Sequence, residues 1–125
     1  VKLIKTINRQ NFGITFEPAN LMACGSEFNK NALNQLLPYT ENFYFQNIIL
    51  DKKGKHVFPT IHNGDVRVKY VSLENSNGIN VFSFLDFLRE KNYDKWFTVH
   101  QPLLEDQTVK NAIENASKLF LDYKF

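Results

Sequence analysis

The run Asn42 to Leu50 (NFYFQNIIL) constrains this chain more than any other stretch. Aromatic and β-branched residues fill it, which suits a pleated, half-buried strand long enough to cross a sheet. Asp51-Lys52-Lys53-Gly54 follows as a turn, because Asp and Gly serve tight backbone reversals. Lys55 to Ile61 is expected to return as a second strand. Pro59 has no N–H to donate, so it pushes that strand to an edge or a bulge. His62-Asn63-Gly64-Asp65 is a further turn signal. Beyond it Val66, Val68 and Tyr70 alternate with Arg67, Lys69 and Val71, predicting a third strand.

Elements of both kinds flank this centre. Val1 to Ile7 suits a strand or the start of a helix, and Phe12 to Phe16 alternates as a strand. Ser26 to Leu37 reads as a helix capped by Ser26, with Phe28, Ala32, Leu33, Leu36 and Leu37 on one face and Pro38 ending it. Val81, Phe84, Leu85 and Leu88 repeat at helical spacing within Ile79 to Tyr93. Trp96 to Val99 is a short strand. A last helix begins near Asp106 or Thr108, with Val109, Ala112, Ile113, Ala116, Leu119 and Phe120 on its apolar face. These elements predict an α+β fold: a small antiparallel sheet or partly open barrel with packed helices.

At 125 residues the chain is expected to form a single domain over 1–125, with enough length for one sizeable core. It opens on Val1 without an initiating Met, so an excised fragment is one reading. Aromatics make up 14% and the net charge is +2, which excludes a charge-driven disordered chain and argues against coating of nucleic acid by bulk charge. Cys24 is the single cysteine, so no disulfide can form within the chain. With no apolar run of membrane-spanning length, this leads to an intracellular, cytoplasmic expectation with no membrane partner.

Catalytic signatures are lacking. The three histidines, His56, His62 and His100, show no metal-ligand spacing and read as surface residues beside turns. Cys24 has no neighbouring base. Asp51 and Lys53 share the D-x-K spacing of some metal-dependent nucleases, but with Gly54 next they suit a charged hairpin turn better. There is no phosphate-cradling glycine loop and no nucleophile elbow. The expectation is no enzyme, with no catalytic residue, metal or cofactor.

What remains is a basic hairpin among aromatics. Lys53, Lys55, His56, Arg67 and Lys69 cluster with Phe58 and Tyr70, and Phe87, Lys91 and Tyr93 follow. Aromatic faces can stack on unpaired bases while Lys and Arg hold phosphates. The same Phe residues would equally fill a core, and the same Lys residues would protect a sheet edge.

Residues Gly78 to Leu104 (GINVFSFLDFLREKNYDKWFTVHQPLL) resemble the latter half of the PAZ domain of Argonaute and Piwi proteins. There a hydrophobic position leads into a short helix, a strand, and an ending of the Q-P-L-L type, matched here by Gln101-Pro102-Leu103-Leu104. The resemblance implies a small barrel that clasps the 3′ end of small RNAs in an aromatic pocket. Phe87 falls where the family has its first helix tyrosine, and lacks its hydroxyl. Lys91 matches the family's lysine, and Tyr93 its second tyrosine if Asn92 is an insertion. The family's C-terminal strand is replaced by the last helix.

The function expected on these grounds is a non-catalytic module binding single-stranded or overhanging nucleic-acid ends, with single-stranded or small RNA as partner. Its candidate residues are Lys53, Lys55, His56, Phe58, Arg67, Lys69, Tyr70, Phe87, Lys91 and Tyr93. The alternative is a small protein-binding protein of the immunity, inhibitor or adaptor type, with a protein partner.

Overall fold

A computed structural model describes residues 1–26 and 29–123. Phe28, expected on a helix face, lies outside the described residues. In chain order the elements are α1 (Lys2–Ile7), β1 (Ile14–Phe16), α2 (Pro18–Ala23), α3 (Lys30–Leu36), a 3-10 turn (Leu37–Tyr39), β2 (Thr40–Phe45) and β3 (Ile48–Leu50). Then come β4 (His56–Thr60), β5 (Gly64–Tyr70), α4 (Val81–Glu90), β6 (Trp96–Val99) and α5 (Val109–Asp122). Helices and strands thus share the chain, as an α+β reading requires. The expected antiparallel sheet is present, a parallel sheet stands beside it, and neither is closed.

The long strand expected from Asn42 to Leu50 is two strands. β2 belongs to a parallel sheet of order β1-β2-β6, and β3 to an antiparallel sheet of order β3-β5-β4. Gln46 and Asn47 form the break between them. Asn47 is fully buried, and its side-chain amide donates to the carbonyls of Ser72, Leu73 and Asn75 while its Oδ1 accepts from the Ile79 N–H. These bonds bend the chain out of one sheet and pin the loop that leads from β5 to α4.

Parallel neighbours need crossover connections, and helices supply them. α2 and α3 lie between β1 and β2. The antiparallel sheet and α4 lie between β2 and β6. Asn29, not Ser26, caps α3, its Oδ1 accepting from the Ala32 N–H at 2.8 Å. Asn80 and Thr108 cap α4 and α5 in the same way. Pro18 opens α2, where its missing N–H costs nothing. Pro59 sits on β4, an edge strand that pairs only with β5.

One face of the parallel sheet carries the core. Phe43 is fully buried, with Phe16 at 5.3 Å and Tyr93 at 5.1 Å between ring centroids. Phe84 of α4 reaches Phe16, and Phe120 of α5 reaches Phe45 and Phe97. Strand alternation sends Thr15, Asn42, Tyr44, Trp96 and Thr98 to the other face. That face is polar and open: Asn42 and Thr98 hydrogen-bond across it, and Trp96 is 76% exposed.

Among the described residues, no helix is long and apolar enough to cross a membrane.

Candidate functional site at the strand ends

Each parallel strand is followed at once by a polar residue: Glu17 after β1, Gln46 after β2 and His100 after β6. By alternation, all three continue the open face of the sheet. They meet there. The Gln46 amide donates to Oε1 of Glu17, and Nδ1 of His100 lies 3.9 Å from the same oxygen. Asn20, in the first turn of α2, donates to the other carboxylate oxygen at 2.7 Å. Both oxygens of Glu17 are therefore engaged by amide N–H donors. Tyr44 stands below His100, with ring centroids 5.6 Å apart.

The setting is partly dry. Gln46 is buried and Glu17 half-buried, while His100 is exposed. The carboxylate is thus held between two amide N–H donors beside an imidazole. One carboxylate and one imidazole are a thin set for a cation, and the Gln46 amide presents its N–H rather than a ligating oxygen to this centre. Among the described residues no group of three or more His, Cys, Asp or Glu could hold a metal ion.

None of the candidate residues singled out from the sequence is among the hydrogen bonds, ion pairs or ring contacts of this cluster. Lys53 is in the exposed turn before β4, its N–H donating to Oδ1 of Asp51. Lys55 is tied 2.6 Å from Glu105, an exposed pair in which each charge stabilises the other: the amine is held above its usual range and the carboxyl below. Arg67 and Lys69 lie on one face of the antiparallel sheet, and His56, Phe58 and Tyr70 on the other. Arg67 donates to the Gly54 carbonyl. Phe87 is 2% exposed and Tyr93 8%, both inside the core. Lys91 lies over the Phe87 ring, 5.7 Å from its centroid. Cations and open aromatic faces thus do not share a surface. His56 and Tyr70 meet with their rings edge to face at 4.7 Å.

Sequence reading passed over Glu17, Asn20 and Gln46, and took His100 for a surface residue beside a turn. A signal was present: three short strands, each ending in an apolar residue and followed directly by a side chain able to carry a proton or a hydrogen bond. In sheets of parallel strands joined by helices, functional groups gather at the carboxyl ends of the strands.

No protein-family model and no curated protein matches the sequence. Among solved structures, the fold is similar to a xylose isomerase domain protein from Planctomyces limnophilus, with a TM-score of 0.61 and 22% sequence identity. The match covers 96% of this chain and 39% of that chain, so this chain spans well under half of its neighbour's length. The likeness concerns the fold.

It corrects several expectations. The resemblance to PAZ domains does not hold: the neighbour is a xylose isomerase domain protein, and no family model supports a PAZ domain. The helix and strand that suggested PAZ, α4 and β6, instead complete a parallel βα arrangement, with Phe87 and Tyr93 in its core. The expectations of a non-catalytic module for nucleic-acid ends and of no enzyme are overturned by this likeness in fold.

Proposed function

We propose that this chain belongs to a sugar-processing enzyme of βα-barrel type and carries acid–base residues of its active centre. One observation carries the reading: three parallel strands, neighbours in the sheet, each end in a polar residue, and Glu17, Gln46 and His100 converge at one place. The fold of the xylose isomerase domain protein supports it and suggests the substrate class, an aldose or a related polyhydroxy carbonyl compound.

The roles follow from chemistry. Glu17 removes a proton from the carbon beside the substrate carbonyl and returns it to the neighbouring carbon. The electron pair of the broken C–H bond forms an enediolate, and collapse of that intermediate leaves an isomer. His100 moves the proton between the two substrate oxygens. No oxidant or reductant is consumed. Gln46 and Asn20 hold the carboxylate in place, so little reorganisation is needed as charge leaves it. The open sheet face, with Tyr44 and the Asn42–Thr98 pair, offers an aromatic surface and hydroxyl-matching groups of the kind that orient a polar ligand.

The test is proton exchange. With D-xylose in deuterated water, the protein is expected to introduce deuterium beside the carbonyl carbon, read by proton NMR, and Glu17→Gln to slow this by roughly 10²- to 10⁴-fold. Equal exchange by wild type and Glu17→Gln, or no exchange with any aldose, removes the reading.

A further inference from the structure

We propose that Tyr70 is a substrate-positioning residue of the strand-end site, brought there by the antiparallel sheet inserted after β2. This rests on the sugar-processing reading given above.

The geometry lies in three dipeptides: Gln46-Asn47, His100-Gln101 and Tyr70-Val71. Their second members are tied in a closed ring. The Val71 N–H donates to the Asn47 carbonyl at 3.0 Å, the Asn47 N–H to Oε1 of Gln101 at 2.8 Å, and Nε2 of Gln101 to the Val71 carbonyl at 3.1 Å. These bonds fasten the backbone at Tyr70-Val71 beside the ends of β2 and β6, which Gln46 and His100 directly follow. Tyr70 is also the residue paired with Ile48, two positions beyond Gln46. The ring of bonds thus fastens the inserted sheet to the rim of the parallel sheet at the level where Glu17 sits.

The side chain suits the task. Tyr70 is half-buried, its ring fixed edge to face by His56 and flanked by Phe58 at 6.4 Å. Among the described residues no group hydrogen-bonds its hydroxyl. Burial, and then the charge of Glu17, push its phenol above the usual tyrosine range. The hydroxyl therefore stays protonated at neutral pH, with a donor left for a ligand. A phenol both donates and accepts one hydrogen bond, which matches a sugar hydroxyl or carbonyl oxygen.

The experiment uses wild type, Tyr70→Phe and Glu17→Gln. D-Xylose is the probe, with binding followed by saturation-transfer NMR and the tyrosine hydroxyls titrated through carbon-13 label at Cζ. Tyr70→Phe is expected to keep the wild-type amide spectrum and thermal midpoint while weakening D-xylose binding about tenfold, the loss of one hydrogen bond. The Tyr70 resonance, assigned by its disappearance in Tyr70→Phe, is expected to titrate at lower pH in Glu17→Gln. Unchanged affinity in Tyr70→Phe overturns the proposal while leaving the sugar reading intact. If wild type fails to bind D-xylose, that reading falls, and the titration decides alone. A Tyr70 midpoint indifferent to Glu17→Gln then shows that the hydroxyl does not share the site.

Discussion

Oε1 of Glu17 lies 3.9 Å from Nδ1 of His100, although the two residues follow the outer strands of the parallel sheet and β2 runs between them. Gln46, at the end of that central strand, donates to the same oxygen. The contact requires β1, β2 and β6 to end at one level. Replacing Glu17 with Gln keeps the size of the side chain and removes its capacity as a base. Loss of a positioned general base costs roughly 10²- to 10⁴-fold in rate. We expect deuterium incorporation into D-xylose to fall by that factor, with the thermal midpoint little changed.

Asn47 makes a different prediction, one of stability. Its side chain is fully buried and satisfies the Ile79 N–H and the carbonyls of Ser72, Leu73 and Asn75. Asn47→Ala takes the partner from the Ile79 N–H and the Leu73 carbonyl, while the Ser72 and Asn75 carbonyls keep the N–H groups of Asn75 and Gly78; each buried group left unpaired costs about 1–3 kcal/mol. We expect a loss of at least about 2 kcal/mol in urea unfolding. Gly78→Ala should act on the same network, since a Cβ there would overlap Oδ1 of Asn47 and the Ile48 carbonyl.

Phe43 stands at the centre of the aromatic core, fully buried and ringed by Phe16, Phe45, Tyr93 and Phe97. Truncation removes apolar contact and leaves a cavity that these large rings fill poorly. Phe43→Ala is expected to cost about 3–5 kcal/mol, measured by urea unfolding, and Phe43→Leu distinctly less.

Tyr93 gives the fold an alkaline limit. Its hydroxyl is pushed up to about 12, first by burial and then by the negative charges of Glu41 and Asp94. The folded value lies above the unfolded one, near 10. The unfolded chain therefore loses this proton first, and stability falls as pH rises from about 10 towards 12. Below pH 10 the contribution is whole. Urea midpoints measured from pH 8 to pH 11 should decline in wild type, and less steeply in Tyr93→Phe.

Much of the secondary structure was legible in local pattern. The apolar spacing of Val81, Phe84, Leu85 and Leu88 marks α4, and Trp96–Val99 forms the expected strand. The alternation of Val66, Val68 and Tyr70 marks β5. The failures have physical causes. Asn42 to Leu50 reads as one strand because the residues on both sides of Gln46-Asn47 favour extended backbone. Only the long-range bonds of Asn47 show that the chain turns there. Pro18–Ala23 is too short to show a helical period, so α2 went unseen. Phe87 and Tyr93 resemble binding aromatics only until packing hides them.

The order of residues by itself determined where extended and helical segments lie, because side-chain period and capping chemistry act over a few neighbours. It also placed a proton-carrying or hydrogen-bonding residue directly after each of β1, β2 and β6. The tertiary structure alone decided that β1, β2 and β6 pair in parallel, that their free face is one surface, and that Glu17, Gln46 and His100 meet on it. Strand pairing depends on contacts between segments far apart in the chain, set by how helices and an inserted sheet cross between them. No local pattern encodes that distance.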